Sequence, residues 1–226
     1  MKNLGAFLVG MSLVAGSALA ANPVTSVNIV GFSKITCPRG GYVLVTTAFE
    51  SIAGTALKSL DVFGTSQLPA GTVIYAWDQL KPSGAGYWQD SYNAKNGWET
   101  NINYKAGMGF WIFVPPGAAQ PSYDVVLAGQ VPMQSVSSNM VYDGYAMLGY
   151  PYTSSMLWTN TDLAKKSPNG TVLYWWDTSI TNYQQNSKSK GSWVDPNMVI
   201  TETMGFWLYN PTSVALTNVE VRPYNP

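Results

Sequence analysis

The chain has 226 residues with 12 basic and 12 acidic side chains, one cysteine and no histidine, and only 11% of its residues are charged while 13% are aromatic. Near-neutrality without a basic stripe excludes a nucleic-acid binder, which must displace counterions from phosphates. Absent histidine removes the commonest general base and transition-metal ligand, and a single cysteine excludes both an intrachain disulfide and a structural zinc site.

The chain opens MKNLGAFLVGMSLVAGSALA. Lys2, the apolar run from Leu4 to Val14 and the small residues Ala18-Leu19-Ala20 read as a signal peptide over residues 1–20, with the mature chain starting near Ala21. Removing Lys2 leaves 11 basic against 12 acidic groups, a formal charge of −1. No later segment approaches the roughly 18 consecutive apolar residues of a membrane-spanning helix. The expected location is therefore secreted: extracellular, cell-surface or periplasmic. No cysteine follows the cleavage site and the chain ends ALTNVEVRPYNP, so surface attachment is expected to be non-covalent.

The mature start, Ala21 to Gly31, is extended and apolar-rich. Val24, Val27 and Ile29 are candidates for self-association, in which a chain-end strand completes a neighbour's sheet; pairing within its own domain is the competing reading. Gly41-Tyr42-Val43-Leu44-Val45 is the next strand, followed by a short helix over 51–63 with Leu57, Leu60 and Val62 as its apolar stripe. Gly71-Thr72-Val73-Ile74-Tyr75-Ala76-Trp77-Asp78 reads as a strand with Val73, Tyr75 and Trp77 on one face, expected to be the core side. Met108-Gly109-Phe110-Trp111-Ile112 is apolar on both faces, as a covered central strand would be, and its glycine admits a close neighbour.

These blocks return in the same order. The Gly71 strand recurs as Gly170-Thr171-Val172-Leu173-Tyr174-Trp175-Trp176-Asp177, offset by 99, and the Met108 strand as Met204-Gly205-Phe206-Trp207-Leu208, offset by 96. Gly144-Tyr145-Ala146-Met147-Leu148 answers the Gly41 strand, Ser192-Trp193 answers Gly97-Trp98, and a second helix is expected over 154–166 with Leu157, Leu163 and Ala164. The polar stretch from Val131 to Ser138 is the junction. The expected fold is all-β and mainly antiparallel: a first β repeat over 21–132 with an extra N-terminal strand and a second over 133–226, each a sandwich or open barrel with one short helix.

At these blocks the sequence resembles a widespread, uncharacterised family of secreted bacterial β-repeat proteins. That family carries G-Y-x-L-[IV], then G-T-x-[IL]-Y-x-W-[DN], a lone Trp, G-x-G-F-[FW] and a closing V-G-x-V strand. Val126-Leu127-Ala128-Gly129-Gln130-Val131 fits the closing strand, whereas Val219-Glu220-Val221-Arg222 lacks its glycine. The resemblance implies export and a β fold, and brings no activity, ligand or catalytic residue.

Chemistry is sparse. Cys37 has Lys34 and Arg39 nearby but no histidine to activate it, so it reads as a buried strand-end thiol. The carboxylates open to a glycosidase-type pair are Asp78, Asp90 and Glu99, then Asp177, Asp195 and Glu202. Asp78 and Asp177 each close a strand before a polar turn and are expected to cap it. No catalytic residue, metal site or cofactor is expected, and no phosphate-binding glycine loop or calcium loop is present.

The aromatics divide in two. Trp77, Trp111, Trp176 and Trp207 recur on strands and are expected in the core. Tyr87, Trp88, Tyr92, Trp98, Tyr183 and Trp193 lie in or beside polar loops, where they could stack on sugar faces or cover the ends of the fold. The function expected is a non-enzymatic structural or interaction protein, self-associating through β edges; the alternative is a carbohydrate-binding module using the loop aromatics. The partners are accordingly another copy of the chain or an extracellular glycan.

Overall fold

A computed structural model describes residues 29–52, 57–82, 84–99 and 102–225. The expected signal peptide, Val24 and Val27 lie outside the described residues. The first set of elements is β1 (Val30–Pro38), β2 (Tyr42–Thr47), β3 (Leu57–Lys58), α1 (Ser59–Phe63), β4 (Val73–Asp78), β5 (Gly86–Asn93), β6 (Gly97–Trp98), β7 (Asn103–Tyr104), β8 (Met108–Phe113) and β9 (Ser122–Gln130). The second is β10 (Val136–Val141), β11 (Gly144–Gly149), β12 (Met156–Leu157), a 3₁₀ turn (Trp158–Asn160), α2 (Asp162–Lys166), β13 (Val172–Asp177), β14 (Asn182–Ser189), β15 (Ser192–Trp193), β16 (Val199–Ile200), β17 (Gly205–Asn210) and β18 (Leu216–Val221). The fold is all-β, and every ladder among the described residues is antiparallel.

The two sets are wired alike. β8 lies between β2 and β4, and β4 pairs onward with β5; β17 lies between β11 and β13, and β13 pairs onward with β14. Each set also has a separate two-stranded ladder, β1 with β9 and β10 with β18. The long strands merge into one ten-stranded sheet, ordered β15-β14-β13-β17-β11-β8-β4-β5-β6, with β2 on β8.

Strand alternation sends one face of each half-sheet under its own ladder. In the first half Ile74, Ala76, Phe110 and Ile112 pack with Val125 and Leu127 of β9 and Phe63 of α1. In the second, Leu173, Phe206 and Leu208 pack with Trp158, Ile200 and Leu163. Each such Ile, Leu or Phe, sealed from water, contributes about 1.5–3 kcal/mol. The face expected to be the core side is thus the other one: Ile74 and Ala76 are wholly buried, while Val73, Tyr75 and Trp77 are half-buried on the opposite side. Hydrophobic rank misleads here because Tyr and Trp carry polar atoms and suit a part-wet surface, whereas Ile and Ala carry none.

The half-sheets join reciprocally. Leu148 of β11 bridges Met108 of β8, and Val45 of β2 bridges Met204 just before β17. The Gly149 amide donates to the Gly107 carbonyl at 2.8 Å, and the Thr46 amide to the Thr203 carbonyl at 3.1 Å. Gly109 points to the same side of β8 as Trp111, and a Cβ there would lie 2.7 Å from the Leu148 carbonyl oxygen. On β17, a Cβ at Gly205 would lie 2.5 Å from the Val45 carbonyl oxygen. Backbone therefore crosses backbone at both glycines, a contact no side chain would permit.

Helices are shorter than the sequence pattern suggests. α1 starts at Ser59, preceded by strand at Leu57–Lys58, and Leu60 of its expected stripe is exposed while Val62 and Phe63 are buried. In the second half Met156 and Leu157 form strand with β16, and α2 starts only where the Thr161 hydroxyl accepts the Ala164 amide, a local cap that fixes the first turn.

The described part of the N-terminal segment pairs within the chain. From Val30 onward β1 runs along β9, and the Ile29 carbonyl accepts the Val131 amide, which continues that ladder. Ile29 is accordingly occupied by its own chain on its backbone side, with its side chain exposed. No helix among the described residues is long and apolar enough to cross a membrane.

Candidate functional site

The face of the joined sheet away from the two ladders is lined with rings. β4 supplies Tyr75 and Trp77, β8 supplies Trp111, and β13 and β17 supply Tyr174, Trp176 and Trp207; Leu44 and Met147 pack among them. Trp77 and Trp207 stand on strands three steps apart in the sheet order. A flat sheet would separate those strands by roughly 14 Å. Their ring centroids are nevertheless 5.3 Å apart, at 74°, so the sheet is folded over on itself into a trough.

Three ring contacts on one side have close counterparts on the other. Trp77–Trp207 at 5.3 Å is matched by Trp176–Trp111 at 5.4 Å. Trp77–Tyr87 at 5.0 Å is matched by Trp176–Tyr183 at 5.2 Å, and Tyr145–Trp207 at 6.2 Å by Tyr42–Trp111 at 6.0 Å. All six pairs meet edge to face, the arrangement that ring quadrupoles favour.

Two open clefts result. One, of about 380 Å³, is bounded by Trp77, Tyr87, Tyr145, Tyr174, Tyr183 and Trp207. The other, of about 370 Å³, is bounded by Tyr42, Tyr75, Tyr87, Trp111, Trp176 and Tyr183. Tyr87 and Tyr183 border both and are about two-fifths exposed. No charged residue bounds either cleft. Burial pushes the Tyr75, Tyr87, Tyr174 and Tyr183 hydroxyls above the ordinary tyrosine value, so these four stay neutral at physiological pH.

The clefts differ at one donor. The Trp77 indole N–H donates to the Tyr145 carbonyl at 3.0 Å, and Gln79 donates to the same oxygen at 2.9 Å. The corresponding Trp176 N–H has no hydrogen bond among the described residues.

Of the six loop aromatics singled out from sequence, the structure brings Tyr87 and Tyr183 together in the trough. Trp88 follows Tyr87 on β5 and so points to the opposite face, where its N–H donates to Asp78 at 3.1 Å and Lys81 lies over its ring. Tyr92, Trp98 and Trp193 are packing residues. Tyr92 and Trp98 stack at 5.2 Å, the Trp98 N–H donates to the Gly64 carbonyl at 3.0 Å, and the Tyr92 hydroxyl donates to the Thr65 carbonyl. Trp193 is buried against Trp158 and donates to the Ala164 carbonyl at 3.2 Å. Each anchors a strand edge to the loop or helix beside it. Sequence reasoning missed Tyr42 and Tyr145 as exposed rings and Tyr75 and Tyr174 as half-buried ones; of the four tryptophans expected in the core, Trp111 and Trp207 are buried, and Trp77 and Trp176 pack half-buried against them. Their signal was the i, i+2 spacing with Ile74 and Ala76 between, which identifies two faces without saying which one is wet.

The carboxylates do not converge on the trough. Asp78 accepts the Leu80 amide at 2.8 Å, and Asp177 accepts the Ser179 amide at 2.9 Å and its hydroxyl at 2.6 Å; both cap turns. Asp90 is buried, accepting the Ser59 hydroxyl at 2.6 Å and the Ile102 amide at 3.2 Å, which ties β5 to α1. Asp195 accepts the Asn197 amide and Glu202 the Ser155 hydroxyl. Cys37 is buried, and desolvation, helped by Asp124, pushes its thiol up to about 12. Among the described residues no group of three or more His, Cys, Asp or Glu is placed to hold a metal ion. No family model, curated protein or solved structure matches the chain.

Proposed function

We propose that the protein is an exported, non-enzymatic interaction protein built from a duplicated β unit, and that its aromatic trough binds a neutral carbohydrate. The observation that carries this reading is the pair of open, charge-free clefts walled by Tyr and Trp. Pyranose rings have flat C–H faces that stack on such rings, and edge hydroxyls that exchange hydrogen bonds with tyrosine hydroxyls and an unengaged indole N–H such as that of Trp176. A charged ligand would leave water for a site offering no counter-charge, which disfavours anionic polymers.

Retention of the purified mature chain on insoluble neutral polysaccharides tests the reading. Retention is expected for the parent and is expected to fall sharply in a Tyr87→Ser, Tyr183→Ser double variant that keeps the parent's melting temperature. Undiminished retention of that variant, or no retention of the parent on any neutral polysaccharide, refutes it; parent binding to proline-rich peptides in place of glycans would reassign the trough to peptide.

A second reading, self-association, is favoured by the outer face of the β1–β9 ladder. Val30, Phe32 and Val126 stand exposed there, Phe32 at 78%. Concentration-dependent light scattering that Phe32→Ser abolishes would support it, and a monomer at all concentrations would refute it.

A further inference from the structure

Resting on the carbohydrate reading, we infer that the two clefts form one site that takes a single continuous, neutral, β-linked glycan chain, with Tyr87 and Tyr183 at its shared centre. Separate sites would each own their walls. Here two of the six walls of either cleft are the same residues, so a ligand ring held by Tyr87 and Tyr183 in one cleft stands at the mouth of the other. The matched tryptophan contacts and the volumes of about 380 and 370 Å³ make the two clefts near-equivalents, as a polymer of identical units requires.

Reciprocity at the join adds a constraint on ligand type. Contacts in which Leu148 meets Met108 while Val45 meets Met204 relate the halves by rotation, so the second cleft faces a passing chain in the reverse sense to the first. A ligand read through directional main-chain amides would fit one cleft and misfit the other. Stacking on pyranose faces carries no such requirement, because a ring approached from either direction along the chain still offers C–H bonds to an aromatic wall. A β-linked chain, extended and with its ring faces exposed on both sides, satisfies both clefts at once.

The test is titration calorimetry of the mature chain with neutral β-linked oligosaccharides of glucose, xylose or mannose, from one unit upward. The expected result is an affinity that rises with chain length to a plateau, at one chain per protein, because the second cleft is filled at high effective concentration. Trp77→Ala and Trp176→Ala should each remove one cleft, erasing a length gain of roughly 10²-fold while leaving the affinity for short oligomers within a few-fold of the parent's. Tyr87→Ser should weaken short and long oligomers alike. Trp77→Phe and Trp176→Phe, which keep a ring, serve where an alanine variant fails to fold, and should give an intermediate length gain.

Parent binding with no length gain, two long chains per protein, or a length gain lost in only one of the tryptophan variants would overturn the inference while leaving carbohydrate binding intact. Failure of the parent to bind any oligosaccharide would overturn both.

Discussion

Gly205→Ala probes the join on which the trough depends. A Cβ at this position would lie 2.5 Å from the Val45 carbonyl oxygen and 2.7 Å from the Val45 nitrogen, where ordinary contacts start at 3.4 Å. The obstacle is backbone, which cannot rotate aside, so β2 and β17 must part by about 1 Å. Overpacking of this kind costs about 1–3 kcal/mol. For a domain of this size that lowers the melting temperature by about 2–12 °C. Gly117→Ala is the control: a Cβ there meets nothing within 4 Å, and the change should be neutral or stabilise by about 0.4–1 kcal/mol. Thermal unfolding followed by circular dichroism reads both, and near-ultraviolet spectra should show the Gly205 variant losing signal from the Trp77–Trp207 and Trp111–Trp176 pairs. If Gly205→Ala and Gly117→Ala melt alike, with unchanged near-ultraviolet spectra, the halves do not cross at this glycine and the trough geometry is wrong.

Glu220 is buried on β18, where desolvation, with a contribution from Asp162, holds its carboxyl above the usual range although the Leu163 amide donates to it. A raised folded value favours the protonated form, so its stabilising effect is complete below the unfolded value and is lost as pH rises through the folded one. Glu220→Gln should therefore be more stable than the parent at pH 7, the gap closing as pH falls into the ordinary carboxylate range; a gap that widens in acid would contradict this. Cys37 should not react with a thiol reagent at pH 8 in the folded protein and should react fully in denaturant, whereas rapid native labelling would show the thiol to be accessible. Trp193→Ala should cost about 3–5 kcal/mol in denaturant unfolding. Trp88→Ala, on an exposed strand face, should stay within about 0.5 kcal/mol of the parent, and equal losses would mean that Trp88 is a packing residue too.

The strand content was legible because Val, Ile, Tyr and Trp runs broken by Gly, Pro and Asn leave little else to form. So was the burial of Cys37 and the turn role of Asp78 and Asp177, since these follow from local chemistry. Alternation in β4 was legible too, but its direction was not. Tyr75 and Trp77 outrank Ile74 and Ala76 in area, and only the arrival of β17 and β13 from far along the chain shows that the larger rings face one another across an open trough. Loop location likewise failed to separate Tyr87 and Tyr183 from Tyr92, Trp98 and Trp193. The last three are held by bonds to the Thr65, Gly64 and Ala164 carbonyls, and those partners depend on where α1 and α2 dock. The start of the second helix was misplaced because 154–161 carries no glycine or proline to break the pattern, and a cap such as Thr161 decides the start only once its hydroxyl is oriented.

Reciprocal crossing, of β11 on β8 and of β2 on β17, has a consequence for how such a chain could be taken apart. Neither half alone encloses a cleft, since Trp77 and Tyr87 need Tyr145, Tyr174 and Trp207 to face them. A half-length polypeptide would leave its aromatic face and its junction glycine uncovered, and the surface that covers them in the full chain is the equivalent surface of its sibling. Two identical halves could meet through the same contacts as a closed pair with one rotation axis. Severing the backbone between β9 and β10 should for the same reason leave two fragments that stay associated and bind ligand only together.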